Sequence, residues 1–360
     1  MSEQAEDAKV IELLRTPGLS IKYLDEENRE RIRAFLVRNH VEKGVSLGDV
    51  AKMIGNKTSG YTSWLARQLD VQPRPFEEAR LKGIREKVRK YERKPFDGSE
   101  GDKAYLLAMR HGDLSAYRPF GDAVRVSTST THPEMVKLFR SLFERYGHVY
   151  QHPRYKKDTC SYEWNLQVIL DPSFEFIIQE IVDSRDWILA SDDRILGYVA
   201  GLVDAEGNIG FSRDKKNTSL MVAIYNTDTG LLQCAKEGLQ KLGYRPVGPY
   251  LDKEAGFRSP GYGIEMKKDY WKIVLARFDE AQSVLKRLPL AHPEKVAKKS
   301  LALSLNYREP WEKVEPRVTA LRDSVVAARD EFVKLAETEY IRTHPENENI
   351  AAAANDSTAE

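Results

Sequence analysis

ILGYVAGLVDAEGNIGF, residues 195 to 211, is an apolar run that closes on two carboxylates, Asp204 and Glu206, immediately before Gly207. Its small residues Gly197, Gly201 and Ala205 recur at every fourth position, so on a helix they make one smooth face that a second backbone can approach closely. An earlier segment repeats the design. AYLLAMRHGD, residues 104 to 113, carries Ala104, Ala108 and Gly112 at the same spacing 93 residues upstream, and ends in Asp113 where the later segment ends in Glu206. Two such faces should pack on each other, and packing them gathers the two acids.

The correspondence continues past the helices. VRVSTSTTHPEMVKLFRSLFERYG lies against LMVAIYNTDTGLLQCAKEGLQKLGY at an offset of 96, with Gly147 opposite Gly243. The three extra residues fall in the turn FSRDKKNTS, where lengthening a loop costs little. Each copy therefore reads helix, hairpin, helix, hairpin, helix.

On these residues the chain resembles the monomeric LAGLIDADG homing endonucleases, from about Lys103 to about Leu303. VAGLVDAEG, Val199 to Gly207, is a close match to the family's nine-residue signature; LAMRHGDL is a degenerate one, with His111 at the sixth position and Leu114 in place of the final Gly. The resemblance implies an α+β fold of two pseudo-symmetric αββαββα repeats, joined through the signature helices under a DNA-binding β-saddle. It places the catalytic metals on the eighth-position acids, Asp113 and Glu206, with Gly112 and Ala205 beside them, and gives the sixth-position Asp204 to the helix end. The implied cofactor is Mg2+ or another divalent cation such as Mn2+. The implied partner is double-stranded DNA, bound by a monomer. A basic residue near the leaving group is expected at Lys267, beside Lys268 at the end of the second copy's last strand, with Gln167 in the matching place of the first.

The chemistry suits those residue types. Hydrolysis of a phosphodiester needs an activated water and a stabilised leaving oxygen, and divalent ions about 4 Å apart supply both. Carboxylates are the hard oxygen ligands that magnesium takes. Alternate strand residues should meet the DNA: Arg125, Ser127 and Ser129 in the first half, Arg213, Lys215, Lys216 and Tyr225 in the second. Arg154, Lys156 and Lys157 are expected in a hairpin turn, as phosphate contacts. At the helix crossing, Gly201 should face Ala108, so Gly201→Val should be costly, whereas Gly207→Ala, beyond the crossing, should be milder for stability.

The flanking segments read differently. Residues 1–97 read as helical: after a helix carrying Ile32, Phe35, Leu36 and Val41, Ser46 is expected to N-cap a short helix ending at Gly55. A second short helix would turn Trp64, Leu65 and Leu69 inward and Ser59, Tyr61, Thr62, Ser63 and Arg67 outward, a helix-turn-helix pattern. Between Arg80 and Lys94 eight basic residues stand against Glu86 and Glu92, which suits phosphate binding. DGSEG, residues 97–101, marks the change of regime. The repeats are then expected to span 98–190 and 191–305, followed by a helical segment 306–343 and a disordered tail 344–360.

Composition sets the outer bounds. Hydrophobic residues make up 41% and charged residues 31% of 360, with formal net charge +1, and no apolar run approaches the roughly 18 to 20 residues of a membrane helix. Cys160 and Cys234 have no paired spacing, and the opening residues lack a basic region followed by an apolar one, so the expected setting is a cytosol or organelle matrix rather than secretion. His148 and His152, four apart, lie among turn and strand residues with no further ligand in sight. Two other readings compete with the nuclease. One is a non-cleaving DNA- or RNA-binding protein on the same scaffold, a transcriptional regulator or an intron maturase; the other is a structural α/β repeat, which leaves the acids unexplained.

Overall fold

A computed structural model describes residues 3–16, 23–55, 59–72, 91–119, 123–157, 160–258 and 265–344. Two compact units result, Met1–Arg89 and Lys90–Glu360.

In the first unit, helices α1 (Glu3–Leu14), α2 (Glu26–Leu36), α3 (Leu47–Met53) and α4 (Ser59–Gln68) enclose a core of Val10, Ile32, Phe35, Leu36, Val50 and Leu65. Ser46 caps α3, its hydroxyl accepting from the Asp49 amide, and Gly55 takes the left-handed φ of 82° that ends it. Past Leu36 the chain widens into a π-helix, Val37–Glu42, which buries His40 and leaves Val41 exposed. Two side chains on α4 face opposite to expectation. Thr62 is buried, its hydroxyl donating to the carbonyls of Leu47 and Ser59, whereas Trp64 is 44% exposed and stacks on Tyr61. A short helix closed on α3 through a hydroxyl has no room for an indole on that side. The basic stretch is visible only from Tyr91; residues 80–90 lie outside the described residues.

The second unit is built twice. Helix α5 (Glu100–His111) leads to β1 (Ser115–Tyr117), β2 (Val124–Thr130), α6 (Pro133–Phe143), β3 (Tyr150–Lys156) and β4 (Ser161–Leu170), then a 3-10 helix Pro172–Ile178 and α7 (Ile181–Ile188). Helix α8 (Asp192–Glu206) repeats the course through β5 (Gly207–Asp214), β6 (Asn217–Asn226), α9 (Thr229–Lys241), β7 (Val247–Lys253), β8 (Tyr270–Leu275), α10 (Phe278–Arg287) and α11 (Pro293–Ser304). Each half folds its four strands into an antiparallel sheet of the same order, β1-β2-β4-β3 and β5-β6-β8-β7. The fold is α+β with two αββαββα repeats.

Strand alternation decides which face is wet. On β2, Val124, Val126, Thr128 and Thr130 are buried while Arg125, Ser127 and Ser129 point the other way; on β6, Leu220, Val222 and Ile224 join the core while Met221 and Tyr225 do not. Each sheet thus keeps one open face.

Residues 97–101 are no loose linker. Ser99 and Asp102 form a capping box that starts α5, and the preceding residues already belong to this unit: Phe96 donates its amide to Ser173 and Lys94 to the Tyr146 carbonyl. At the other end α12 (Trp311–Thr343) begins where Trp311 donates its amide to the Lys216 carbonyl, on the β5–β6 hairpin, and reaches the first sheet, where Phe332 stacks on Trp164 and accepts its indole hydrogen bond. The tail from residue 345 lies outside the described residues.

Candidate active site

The two signature helices cross where their side chains are smallest. A Cβ at Gly197 would lie 2.1 Å from the Gly101 carbonyl oxygen; at Gly201, 2.4 Å from the Tyr105 oxygen and 2.7 Å from Ala108 Cβ; at Gly112, 2.6 Å from Ala205 Cβ and 3.0 Å from Glu206 Cγ. The contacts advance along both helices together, so α5 and α8 run parallel and end side by side. Ala104 and Ala108 are fully buried in this seam. Gly101, outside the four-residue ladder, is the partner that the ladder did not reveal. Gly207 is tight as well: a Cβ there would stand 2.5 Å from Val203 Cα and 2.6 Å from its oxygen, so a methyl group requires the helix end to shift.

Parallel ends gather the acids. Helix α8 runs through Glu206, whereas α5 stops at His111 with Gly112 as its C-cap and presents Asp113 from the turn that follows. Desolvation, first, and the Glu206 charge, second, push the Asp113 carboxyl up to about 7. Protein crowds most of its surroundings, yet water reaches the residue itself, so screening moderates the energetic consequence. Burial likewise raises Glu206. Two helix C-termini, each with partial negative charge, point at the same place.

Among the described residues, few groups answer those charges. Among the described residues nothing donates a hydrogen bond to the Asp113 side chain, and Glu206 receives one, from Tyr270 at 3.3 Å. Converging carboxylates that water can reach fit a hard divalent cation, and Asp113 and Glu206 are the residues that would hold it. Among the described residues no three His, Cys, Asp or Glu side chains form a metal cage, so the remaining ligands would come from backbone, water or a phosphate.

Sixth-position residues support the ends symmetrically. Asp204, 1% exposed, accepts from the Tyr105 hydroxyl at 2.7 Å and from the amides of Ala291 and His292; His111 meets the Tyr198 hydroxyl at 3.0 Å and the Gln179 carbonyl at 3.0 Å. Each helix lends its tyrosine to the other. One oxygen of Asp204, Oδ1, and the Nδ1 of His292 have no partner among the described residues, and both residues line a cavity of about 910 Å³ that also reaches Asp113, Thr128, Lys295 and Arg329.

Lys267 and Lys268 sit in a bend before β8, not on a strand, and residues 261–264 lie outside the described residues. The strand position next to the acids' tyrosine is Lys272, on the open face with Tyr270 and Tyr225; its ammonium is 2.6 Å from Asp252. Gln167 does point to the open face of the first sheet, where it accepts from Arg125. A second lysine, which no local period marks, reaches the site from another helix. Lys295, in the first turn of α11, donates to the Gly207 carbonyl at 2.5 Å. A cation in a helix's first turn opposes the macrodipole, the one cue in HPEK that its charge is used elsewhere.

Of the other candidate contacts, Arg125, Ser127, Ser129 and Tyr225 share the open faces. Arg154 and Lys156 lie on β3 rather than in a turn, also facing the open side, and Lys157 follows the strand. Arg213 departs: it shares the core-side alternation of Ile209 and Phe211, and bonds the Lys215 carbonyl at 2.7 Å beside Lys216 in the hairpin. Of the two histidines His148 stacks on Tyr91 at 3.9 Å and His152 lies on β3. Cys160 and Cys234 are free thiols, and no helix among the described residues is long and apolar enough to cross a membrane.

No protein-family model and no curated protein matches the chain. Solved structures do. The chain is similar to the homing endonuclease I-DmoI in complex with DNA and Ca, at 20% identity and TM-score 0.37 over 56% of this chain and 98% of that one. It is similar to I-DmoI in complex with DNA and Mn at 21% identity and TM-score 0.35, over 54% and 98% of the two chains. The N-terminal LAGLIDADG domain of DUF199/WhiA matches at 12% identity and TM-score 0.35, over 62% and 97%.

Proposed function

We propose that this chain is a site-specific endonuclease of the LAGLIDADG type, a monomer that hydrolyses both strands of DNA with divalent metal ions. One observation carries the reading: Asp113 and Glu206 come from the two halves, stand at the ends of two parallel helices and, among the described residues, receive one side-chain hydrogen bond, from Tyr270. Asp204, buried, is held by three donors, whereas Asp113 and Glu206 stay open to water and so to a ligand. Bound magnesium or manganese would activate water and stabilise the leaving oxygen. The chain's residues do the rest. Tyr270 orients Glu206, Gly112 leaves room for the Glu206 stem, and Asp204 with Tyr105 fixes the helix end.

DNA would lie against the open sheet faces, where Arg125, Ser127, Ser129, Gln167, Arg154, Lys156, Tyr225 and Lys272 stand. In the first unit, Tyr61, Trp64 and Arg67 on α4, followed by the basic stretch, add backbone contacts and a steeper salt dependence.

The test selects sites from a pool of plasmids with randomised inserts, using the full chain with magnesium. The wild-type protein should cut its selected site on both strands; Glu206→Gln and Asp113→Asn should bind it with nearly unchanged affinity and leave it intact. Binding without cleavage by the wild type in magnesium and manganese would move the protein to the non-cleaving reading, and undiminished cleavage by Glu206→Gln would remove that acid from the chemistry.

A further inference from the structure

Lys295 lies beside the acids, yet the reading above gives it no task. It is half-buried, fixed at 2.5 Å on the Gly207 carbonyl, the residue after Glu206, and it lines the same cavity as Asp113 and Asp204. Its charge favours the ionised forms of Asp113, Glu206 and Asp204 alike. Glu294, whose charge also favours the Lys295 ammonium, is itself paired with Lys298 at 2.7 Å, and Lys295 acts on Asp204 and Asp113 as well.

The other half shows that the fold does not require it. Helices α7 and α11 begin alike, after N-caps Glu180 and His292, next to the residues that hold His111 and Asp204. The third helical position is exposed Asp183 in α7 and Lys295 in α11. At this helix position one half carries a lysine and the other an acid.

We propose that Lys295 is an internal counter-cation: its ammonium, held by the Gly207 carbonyl, neutralises the Asp113–Glu206 pair when no metal is bound and shares the pair's field with an arriving divalent ion. It is a positioning residue acting through the two carboxylates, and the proposal rests on the reading of that pair as a cation site. Without the ammonium, two like charges would face each other beneath two helix C-termini, so folding would become dependent on an added cation.

The experiment measures the rise in Tm that millimolar calcium gives the full-length, DNA-free protein at a pH of about 8.5, above the ordinary carboxylate range. Lys295→Met should melt lower than wild type without calcium and gain a rise at least roughly twofold larger with it. Lys295→Arg should behave as wild type, and adding Glu206→Gln to Lys295→Met should cancel the extra gain. If Lys295→Met does not fold, Lys295→Gln keeps a donor for Gly207 and answers the same question. Equal or smaller rises in the lysine variants would overturn the counter-cation and leave the acid pair as a cation site; no rise in any protein would overturn both.

Discussion

The two halves of the site solve one problem with different residues. In the second half the helix continues through its acid, Glu206, and turns straight into β5 at Gly207; in the first it stops two residues short and Asp113 stands in a turn. The second half's supporting residue is the charged Asp204, the first half's the ring of His111, and each takes a hydroxyl from the opposite helix. What is kept is the contact pattern, not the residue. A degenerate signature thus need not mean a degraded site, because the crossing depends on small residues and the support on any group that can meet a tyrosine.

The sharpest way to break the pairing is to separate the helices. A valine at Gly201 has no free direction, with the Tyr105 carbonyl 2.4 Å and Ala108 Cβ 2.7 Å from its Cβ. Gly201→Val should lose about 1 to 3 kcal/mol of stability, measured by urea unfolding, and cleavage should fall about a hundredfold because displacing reacting groups by about 1 Å costs that much. Full activity in this variant would mean that the acids do not depend on the crossing.

The ninth signature position sets opposite demands in the two halves. Gly207 has no space for a Cβ, whereas Leu114 fills space and is 5% exposed. Gly207→Ala should therefore cost about 1 to 3 kcal/mol. Leu114→Ala should cost about 2 to 5 kcal/mol, although it brings the first half nearer the signature. Thermal melts of the two single variants check both; a neutral Gly207→Ala would show that the helix end shifts freely.

Asp113 allows a comparison by pH. Its folded pKa, about 7, stands above the ordinary value near 4, so the folded state binds the extra proton. The stability this gives is complete below about 4 and is lost as pH rises through about 7. Asp113→Asn removes that loss, so the variant should gain on wild type across this window. Burial depresses His292 to about 4, which gives the opposite slope, but His292 is common to both proteins and cancels in the difference. A difference that stays flat with pH would mean that Asp113 titrates like an exposed acid.

Much of this was legible in the sequence, and for a physical reason. Small residues at four-residue spacing and strand alternation are local patterns, so the crossing of Gly201 on Ala108 and the open faces of β2 and β6 can be read from residues close in the chain. Lys295 and Tyr270 could not be read that way: they reach the acids from α11 and β8, across 89 and 64 residues from Glu206, and no local period marks them. Thr62 and Trp64 exchanged faces because α4 is short and its register is set by a hydroxyl bonded back to Leu47, not by hydrophobicity. Lys267 was misplaced because β8 begins at Tyr270, after a bend that strand-like residues disguise.

The smallest expected effect is the most discriminating between the halves. Tyr105→Phe removes a hydroxyl from Asp204, which keeps two backbone amides; Tyr198→Phe removes one from His111, which keeps the Gln179 carbonyl. Both changes keep the ring and its packing, so each reports one hydrogen bond. Hydrogen bonds to charged groups contribute about 1.5 to 3 kcal/mol and neutral ones about 0.5 to 1.5. If Asp204 is ionised beneath the helix end, Tyr105→Phe should be the costlier by about 1 kcal/mol in parallel urea titrations at neutral pH. Burial raises the Asp204 carboxyl while the amides and the hydroxyl lower it, so the charge hangs on those donors. Equal losses would mean that Asp204 is protonated, and the two supports would then be alike in chemistry as well as in place.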